Sequence, residues 1–208
     1  MSLKNKRILI TAGPTWVLID KVRVISNIAT GETGILLAEE LQSRGARVTL
    51  LLGAVGTCCL NKKIRLIRFK FFEELRRLVI KELETRKYSI VIHSAAVSDY
   101  RPLKTYSSKV RSGLDSWKLN LVPTAKIIDA IKKKDKSLRL VGFKFEPETT
   151  KARLIRKGEI LLARKSCDTV VANTLSKGHY SAYIIQKDKT HGPIFTKEKL
   201  VKYLVEKL

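Results

Sequence analysis

Apolar residues along this chain follow two spacings in turn. RILITAG at 7–13 is a short unbroken run with the length and β-branched content of a strand covered on both faces, and SIVIHSAAVSDY at 89–100 reads as another buried strand running into a loop of small residues. Between such runs, apolar residues recur every three or four positions. GILLAEELQSRG at 34–45 sets Ile35, Ala38 and Leu41 on one helical face and stops at Arg44-Gly45. FFEELRRLVIKELETRK repeats the spacing with Phe72, Leu75, Val79 and Leu83. RVTLLLG, IRLIRF, LRLVGFKFE and DTVVANT predict further strands, and WKLNLVP alternates as a strand with one face exposed. TAKIIDAIKKK and a basic segment over about 149–166 predict helices. SAYIIQ and GPIFT follow as weak strands, and KEKLVKYLVEKL as a last amphipathic helix. The stretch at about 101–117 is polar and basic without a period, so it reads as a loop or flap.

Strands alternating with crossover helices predict one doubly wound, Rossmann-like α/β sandwich, mostly parallel, with extra short strands near the C-terminus. The 208 residues are enough for one sizeable core and too few for two ordinary domains. Ligands of such a sheet bind beyond the carboxyl ends of its strands. Four places qualify: the loop at 13–31, and the ends HSAAVSDY, GFKFEP and VANT.

Charge narrows the partner. Lys and Arg number 42 against 19 Asp and Glu, a formal +23, which attracts nucleic acid, an anionic membrane or a polyphosphate substrate. The basic residues are scattered through helices, with no zinc finger, RNP aromatic motif or helix-turn-helix beside them. No apolar run is long enough for a membrane span, and no secretory signal opens the chain, so a cytoplasmic setting is expected. Cys58, Cys59 and Cys167 have neither framework nor zinc-ligand spacing; they read as reduced, small packing residues, and no metal ligands are expected.

The segment ISNIATGETG at 25–34 carries the candidate chemistry. Gly31 and Gly34 let a backbone approach an anion at the start of the following helix. The amide of Asn27 can donate to an acyl or phosphate oxygen without adding charge; it can equally be a turn Asn. Thr30 can cap the helix. Ala95 and Ala96 are small enough for a nucleotide to lie flat against their backbone. Asp99 can bind ribose hydroxyls or cap the turn before Arg101-Pro102. Lys126 stands at a helix start, where amides also favour phosphate. Asn173, at the end of VVAN, is a weaker candidate. A nicotinamide or flavin oxidoreductase would need G-x-G-x-x-G and an acid after the second strand, and RVTLLLGAVG has none.

LITAGPTWVLIDKVRVISNIATGETG closely resembles the opening motif of the phosphopantothenate–cysteine ligases (phosphopantothenoylcysteine synthetases). AAVSDYRP at 95–102, VGFKFE at 141–146 and DTVVAN at 168–173 match the later motifs of that family in order, so the resemblance spans about 6–187. It implies a magnesium-dependent ligase that activates the carboxylate of 4′-phosphopantothenate as an acyl-nucleotide and releases pyrophosphate. The amine of cysteine then attacks to give 4′-phosphopantothenoylcysteine, a coenzyme A precursor. AGPT…VRxISN resembles the bacterial branch, which implies CTP ahead of ATP. The resemblance assigns Asn27 to hold the acyl-nucleotide, and Lys109, on the flap, to close over the phosphates. Gly13, Gly31, Gly34, Ala95, Ala96, Asp99, Lys126, Phe143 and Lys165 would line the nucleotide, and Arg23, Asn27, Ala29 and Thr30 the acyl substrate. It also implies a homodimer with a contact around 104–120, and, since members are commonly fused to a flavin-dependent decarboxylase that this sequence does not carry, a separate decarboxylase.

Four positions depart from the family pattern: Val17 for an acid, Ala29 for a hydroxyl residue, Leu161 for a lysine and Ala182 for an asparagine. Lys157, one turn before Leu161, can take the missing lysine's place. The alternative to a ligase is a nucleic-acid-binding protein on a Rossmann-like core, with steeply salt-dependent binding, or an oxidoreductase.

Overall fold

The structure is a computed structural model that describes residues 3–56, 59–164 and 167–208. The chain runs β1 (Arg7–Ala12), β2 (Trp16–Leu18), β3 (Val24–Ser26), α1 (Glu32–Ser43), β4 (Arg47–Leu52), β5 (Arg65–Arg68) and α2 (Phe72–Thr85). It continues with β6 (Ile90–His93), β7 (Tyr100–Pro102), β8 (Leu121–Pro123), α3 (Ile127–Lys134), β9 (Arg139–Phe145) and α4 (Lys151–Ala163). The last elements are β10 (Thr169–Ser176), β11 (His179–Gln186), β12 (Lys189–Ile194) and α5 (Lys197–Glu206).

Eight strands form the main sheet in the order β12-β11-β10-β9-β6-β1-β4-β5. The six from β10 to β5 are parallel, and β11 and β12 extend the sheet antiparallel. This is the expected doubly wound sheet with strands added late in the chain. The winding reverses at β1, with β4 on one side and β6 on the other, so the crevice for a ligand opens above the carboxyl ends of these strands.

The central strands are unbrokenly apolar because helices cover both faces. Successive side chains of β1 go to opposite sides: Ile8 and Ile10 pack with Leu37 and Leu41 of α1 and Leu200 and Leu204 of α5. Leu9 packs instead with Leu75 and Val79 of α2, Ile131 of α3 and Leu154 of α4. Each such side chain contributes about 1.5–3 kcal/mol on burial.

Three local expectations differ. The buried face of α1 is Gly34, Leu37, Ala38 and Leu41, with Ile35 only half-buried, because the helix begins at Glu32 and this i, i+3, i+4, i+7 set meets the sheet. In α2 Glu82 is buried and Leu83 half-buried, because Arg65 and Tyr88 satisfy the carboxylate. WKLNLVP is a strand only over Leu121–Pro123, paired antiparallel to β7. That ribbon and the β2–β3 ribbon are three residues per strand, too short to show a period of two.

Candidate active site

Three loops at the carboxyl edge are joined by short-range hydrogen bonds between residues far apart in sequence. After β1, Gly13 turns with φ +78, its carbonyl accepts from the Ala96 amide at 2.9 Å, and Thr15 N–H donates to the Ala96 carbonyl at 3.2 Å. Thr15 and Ser98, both buried, bond through their hydroxyls, and Thr15 Oγ1 also accepts from the Ser98 amide at 2.9 Å. The Thr124 hydroxyl donates to the Ser98 carbonyl at 2.6 Å, and the Thr124 amide donates to the Asp99 carbonyl at 2.9 Å. Gly13, Ala95, Ala96, Asp99 and Lys126 therefore share one rim.

The ISNIATG loop closes onto this rim. Asn27 Nδ2 donates to the carbonyls of Ala96 and Val97, at 3.1 Å each. Both partners are pure acceptors, so the amide orientation is set by chemistry, and both of its hydrogens are engaged. The sequence suggests the Asn27 amide as a donor to the ligand; with both hydrogens turned to the rim, its exposed acceptor, Oδ1, is the atom left for one. Gly31, not Thr30, is the N-cap of α1, in the left-handed region at φ +73; Thr30 Oγ1 only reaches the Glu32 amide, at 3.4 Å. A Cβ on Gly31 would meet Leu52 Cδ1 at 3.1 Å and Gly13 N at 3.3 Å. Gly34 differs in role from the expected phosphate approach. A Cβ there would stand 2.3 Å from Ala12 Cβ, so its smallness seats the helix on β1. Ala29 is half-buried between these points.

Charged groups ring the cleft. Lys126 Nζ and Asp99 Oδ1 pair at 2.5 Å, both exposed, an ion pair of the kind that contributes about 0–1 kcal/mol and is readily exchanged for a ligand. Lys109 is exposed on the flap. Arg23, expected to touch substrate, instead pairs with Asp20 at 2.8 Å, donates to the Val110 carbonyl and lies 5.2 Å over the Trp117 ring. Asp20 is closed off from solvent and accepts from the amides of Val22, Arg23 and Val110. Burial pushes its carboxyl up, but these amides and the Arg23 guanidinium outweigh it and hold it down to about 2. Asp20 thus pins the flap to the β2–β3 turn. The sequence pattern did not single it out, although an Asp followed by a tight basic turn, IDKVR, is the pattern of a side chain that accepts from its own following amides.

Phe143 is half-buried against the α1-side core, and Asn173 is half-buried on the neighbouring strand, facing Ala182 across the β10–β11 pair. Of the departures, Val17 and Ala182 are core residues, and Leu161 packs against the α2-side core. Lys157 pairs with Glu146, which also holds Lys144. Lys165 and Cys58 lie outside the described residues. Among the described residues no three His, Cys, Asp or Glu side chains group at a distance suited to a metal, and no helix is long and apolar enough to cross a membrane.

His93, at the end of β6, is a second residue that sequence alone did not single out. Its Nδ1 lies 2.8 Å from Thr11 Oγ1, which accepts from the Ala95 amide, so this buried pair supports the rim from below. Burial holds the imidazole down to about 4 from 6.5. Between those values the unfolded chain binds the extra proton, so stability is full above pH 6.5 and falls as pH drops toward 4, by about 3 kcal/mol in the limit. His93→Asn keeps a polar partner for Thr11 and is expected to flatten that pH dependence in urea unfolding. Equal slopes for parent and variant would refute the assignment.

The sequence matches the DNA/pantothenate metabolism flavoprotein C-terminal domain family over residues 3–208. The coenzyme A biosynthesis bifunctional protein CoaBC of Thermococcus kodakarensis is 39% identical over 176 residues, 84% of this chain and 42% of that protein. A cysteine/cysteine sulfinic acid decarboxylase from an unknown prokaryotic organism is 35% identical over 195 residues, 91% of this chain and 53% of that protein. The chain spans about half the length of these curated relatives. The crystal structure of the DNA/pantothenate metabolism flavoprotein from Streptococcus pneumoniae superposes with a TM-score of 0.85 at 26% identity, covering 97% of each chain.

Proposed function

The chain belongs to the DNA/pantothenate metabolism flavoprotein C-terminal domain family, and from that premise we propose that it joins 4′-phosphopantothenate to L-cysteine in coenzyme A biosynthesis. The observation that carries this reading is the double hydrogen bond from Asn27 to Ala96 and Val97. It brings the ISN and AAV motifs, nearly 70 residues apart, to one cleft at the glycine-capped start of α1.

In the first step a carboxylate oxygen of the substrate attacks the α-phosphorus of CTP, or of ATP. A C–O–P link forms, the bond to the bridging β-phosphate oxygen breaks, and pyrophosphate leaves with the electron pair. Both reactants are anions, so the step needs fixed positive charge around them. Lys126 stands on the rim, Lys109 is exposed on the flap, and the start of α1 adds about half a positive charge. Asp99, a carboxylate on the same rim, would be the residue to help hold a magnesium ion, which would supply further positive charge beside the phosphates. In the second step the cysteine amine attacks the acyl carbon and the nucleoside monophosphate departs. Oδ1 of Asn27 is suited to accept a hydrogen bond from that amine.

A homodimer fits the exposure of Leu18, Val22, Tyr100, Leu103, Leu114 and Leu121 on the two ribbons and the flap. A cytoplasmic setting suits the free thiols of Cys59 and Cys167. The deciding assay supplies 4′-phosphopantothenate, cysteine, Mg²⁺ and either CTP or ATP, and reads pyrophosphate. Release that requires phosphopantothenate is expected, faster with CTP. No release with either nucleotide overturns the ligase; a preference for ATP corrects only the nucleotide.

A further inference from the structure

At the opposite edge of the sheet, where β1, β4 and β5 begin, a cavity of about 480 Å³ is lined by Arg7, Arg47, Lys63, Arg65, Arg86 and Tyr88, among others. It lies at the far end of β1 from the rim of Asn27 and Ala96. The six residues of β1 put the two edges about 20 Å apart. None of the ligase chemistry uses it.

Five cations converge there. One reason for such a cluster is local compensation, since α1 and α2 end at this edge and a helix C-terminus carries about half a negative charge. Glu82 adds one carboxylate: its Oε2 pairs with Arg65 at 2.7 Å, lies 3.6 Å from Arg86 Nε and accepts from the Tyr88 hydroxyl at 2.5 Å. Five positive charges against one carboxylate and two half-charges leave an excess of about three. Compensation therefore explains fewer than half of the cations. Among the described residues neither Arg7 nor Lys63 is in an ion pair.

Glu82 does more than neutralise. It is buried, and it holds two guanidinium groups side by side at the cavity wall. Each guanidinium has five N–H donors, and the pairing with Glu82 engages only part of them. Fixed guanidinium forks match phosphate oxygens geometrically. The volume lies in the range of small-ligand sites, about 300–1,000 Å³. A polynucleotide would need a charged track with aromatic side chains for its bases, and the one aromatic ring lining this cavity, Tyr88, is buried with its hydroxyl held by Glu82.

We propose that this cavity binds a small molecule carrying a run of linked phosphate groups, at a site separate from the catalytic cleft. Titration calorimetry with inorganic tripolyphosphate and with a nucleoside triphosphate reads it on the intact chain. Arg7→Ser/Lys63→Ser removes two cations with no described ion-pair partner and is expected to weaken tripolyphosphate binding at this site at least 10-fold, with an unchanged thermal transition. Lys187→Ser/Lys189→Ser, which removes the same charge from an exposed hairpin, is expected to leave it within 2-fold. If the nucleoside triphosphate binds more tightly than tripolyphosphate and loses affinity in the first variant, the natural ligand is a nucleotide; equal affinities assign recognition to the phosphate run alone. Equal losses in the two double variants would reduce the site to general charge attraction and overturn it. So would binding of a 20-nucleotide RNA through Arg7 and Lys63 with no binding of tripolyphosphate.

Discussion

Asn27→Ala is expected to fold like the parent and to form product about 100-fold more slowly, the scale of losing one fixed polar group at a reacting centre. Asn27 is exposed, so water replaces its two bonds to Ala96 and Val97, and the cost in stability is about 1 kcal/mol or less. Activity depends on geometry that water cannot reproduce. The bonds hold the ISN loop against the rim, and they turn Oδ1 toward the position proposed for the attacking amine. The second step should therefore suffer more than the first, so that acyl-nucleotide builds up while phosphopantothenoylcysteine does not. Asn27→Asp should do the same, because a carboxylate facing two carbonyl oxygens is repelled from the rim. Single-turnover quenching with chromatography separates the two steps. A variant that turns over like the parent, or whose pyrophosphate burst is lost in step with product, rules out Asn27 as the residue that positions the amine.

Gly34→Ala is expected to lower stability by about 2 kcal/mol. Two effects of opposite sign meet at this residue. Alanine in place of glycine inside a helix gains about 1 kcal/mol in propensity. Against that, the new methyl would lie 2.3 Å from Ala12 Cβ and 3.0 Å from Ser94 Oγ. Ala12 is a buried residue on the central strand and has no rotamer to move, so the overpacking cost falls near the upper end of about 1–3 kcal/mol. Packing wins. For a chain of this length, the melting temperature should drop by about 4–8 °C. The only relief is for α1 to lift off β1, which would carry Gly31 away from Gly13 and open the cleft. Pyrophosphate release should fall along with the melting temperature. A variant as stable as the parent would show that the helix does not rest on Ala12.

The alternation of main-sheet strands and helices, and the short strands added late in the chain, were legible in the residues; the β2–β3 ribbon and β7 were not. Each depends on local information: which side chains recur every second or every third-to-fourth position, and where Gly or Pro interrupts them. Motif order did the same for the candidate site, bringing Asn27, Ala95, Ala96 and Asp99 into consideration together. What no local pattern carried was the use each polar group makes of its partners. Arg23 is expected beside the acyl substrate, and the structure sets Asp20 and Trp117 against it. Thr30 reads as a cap until Gly31 proves to have the left-handed backbone that occupies that position. Glu82 is buried only because Arg65 and Tyr88 reach it. The sequence alone determined a doubly wound sheet and the carboxyl edge at which the candidate site lies. Only the tertiary structure decided that the Asn27 donors are taken, that Gly34 serves packing, and that a second cluster of cations gathers at the other edge. Burial periodicity is written within a few residues of each position, whereas hydrogen-bond and charge partners 17 to 90 residues apart meet only when the strands take their order in the sheet.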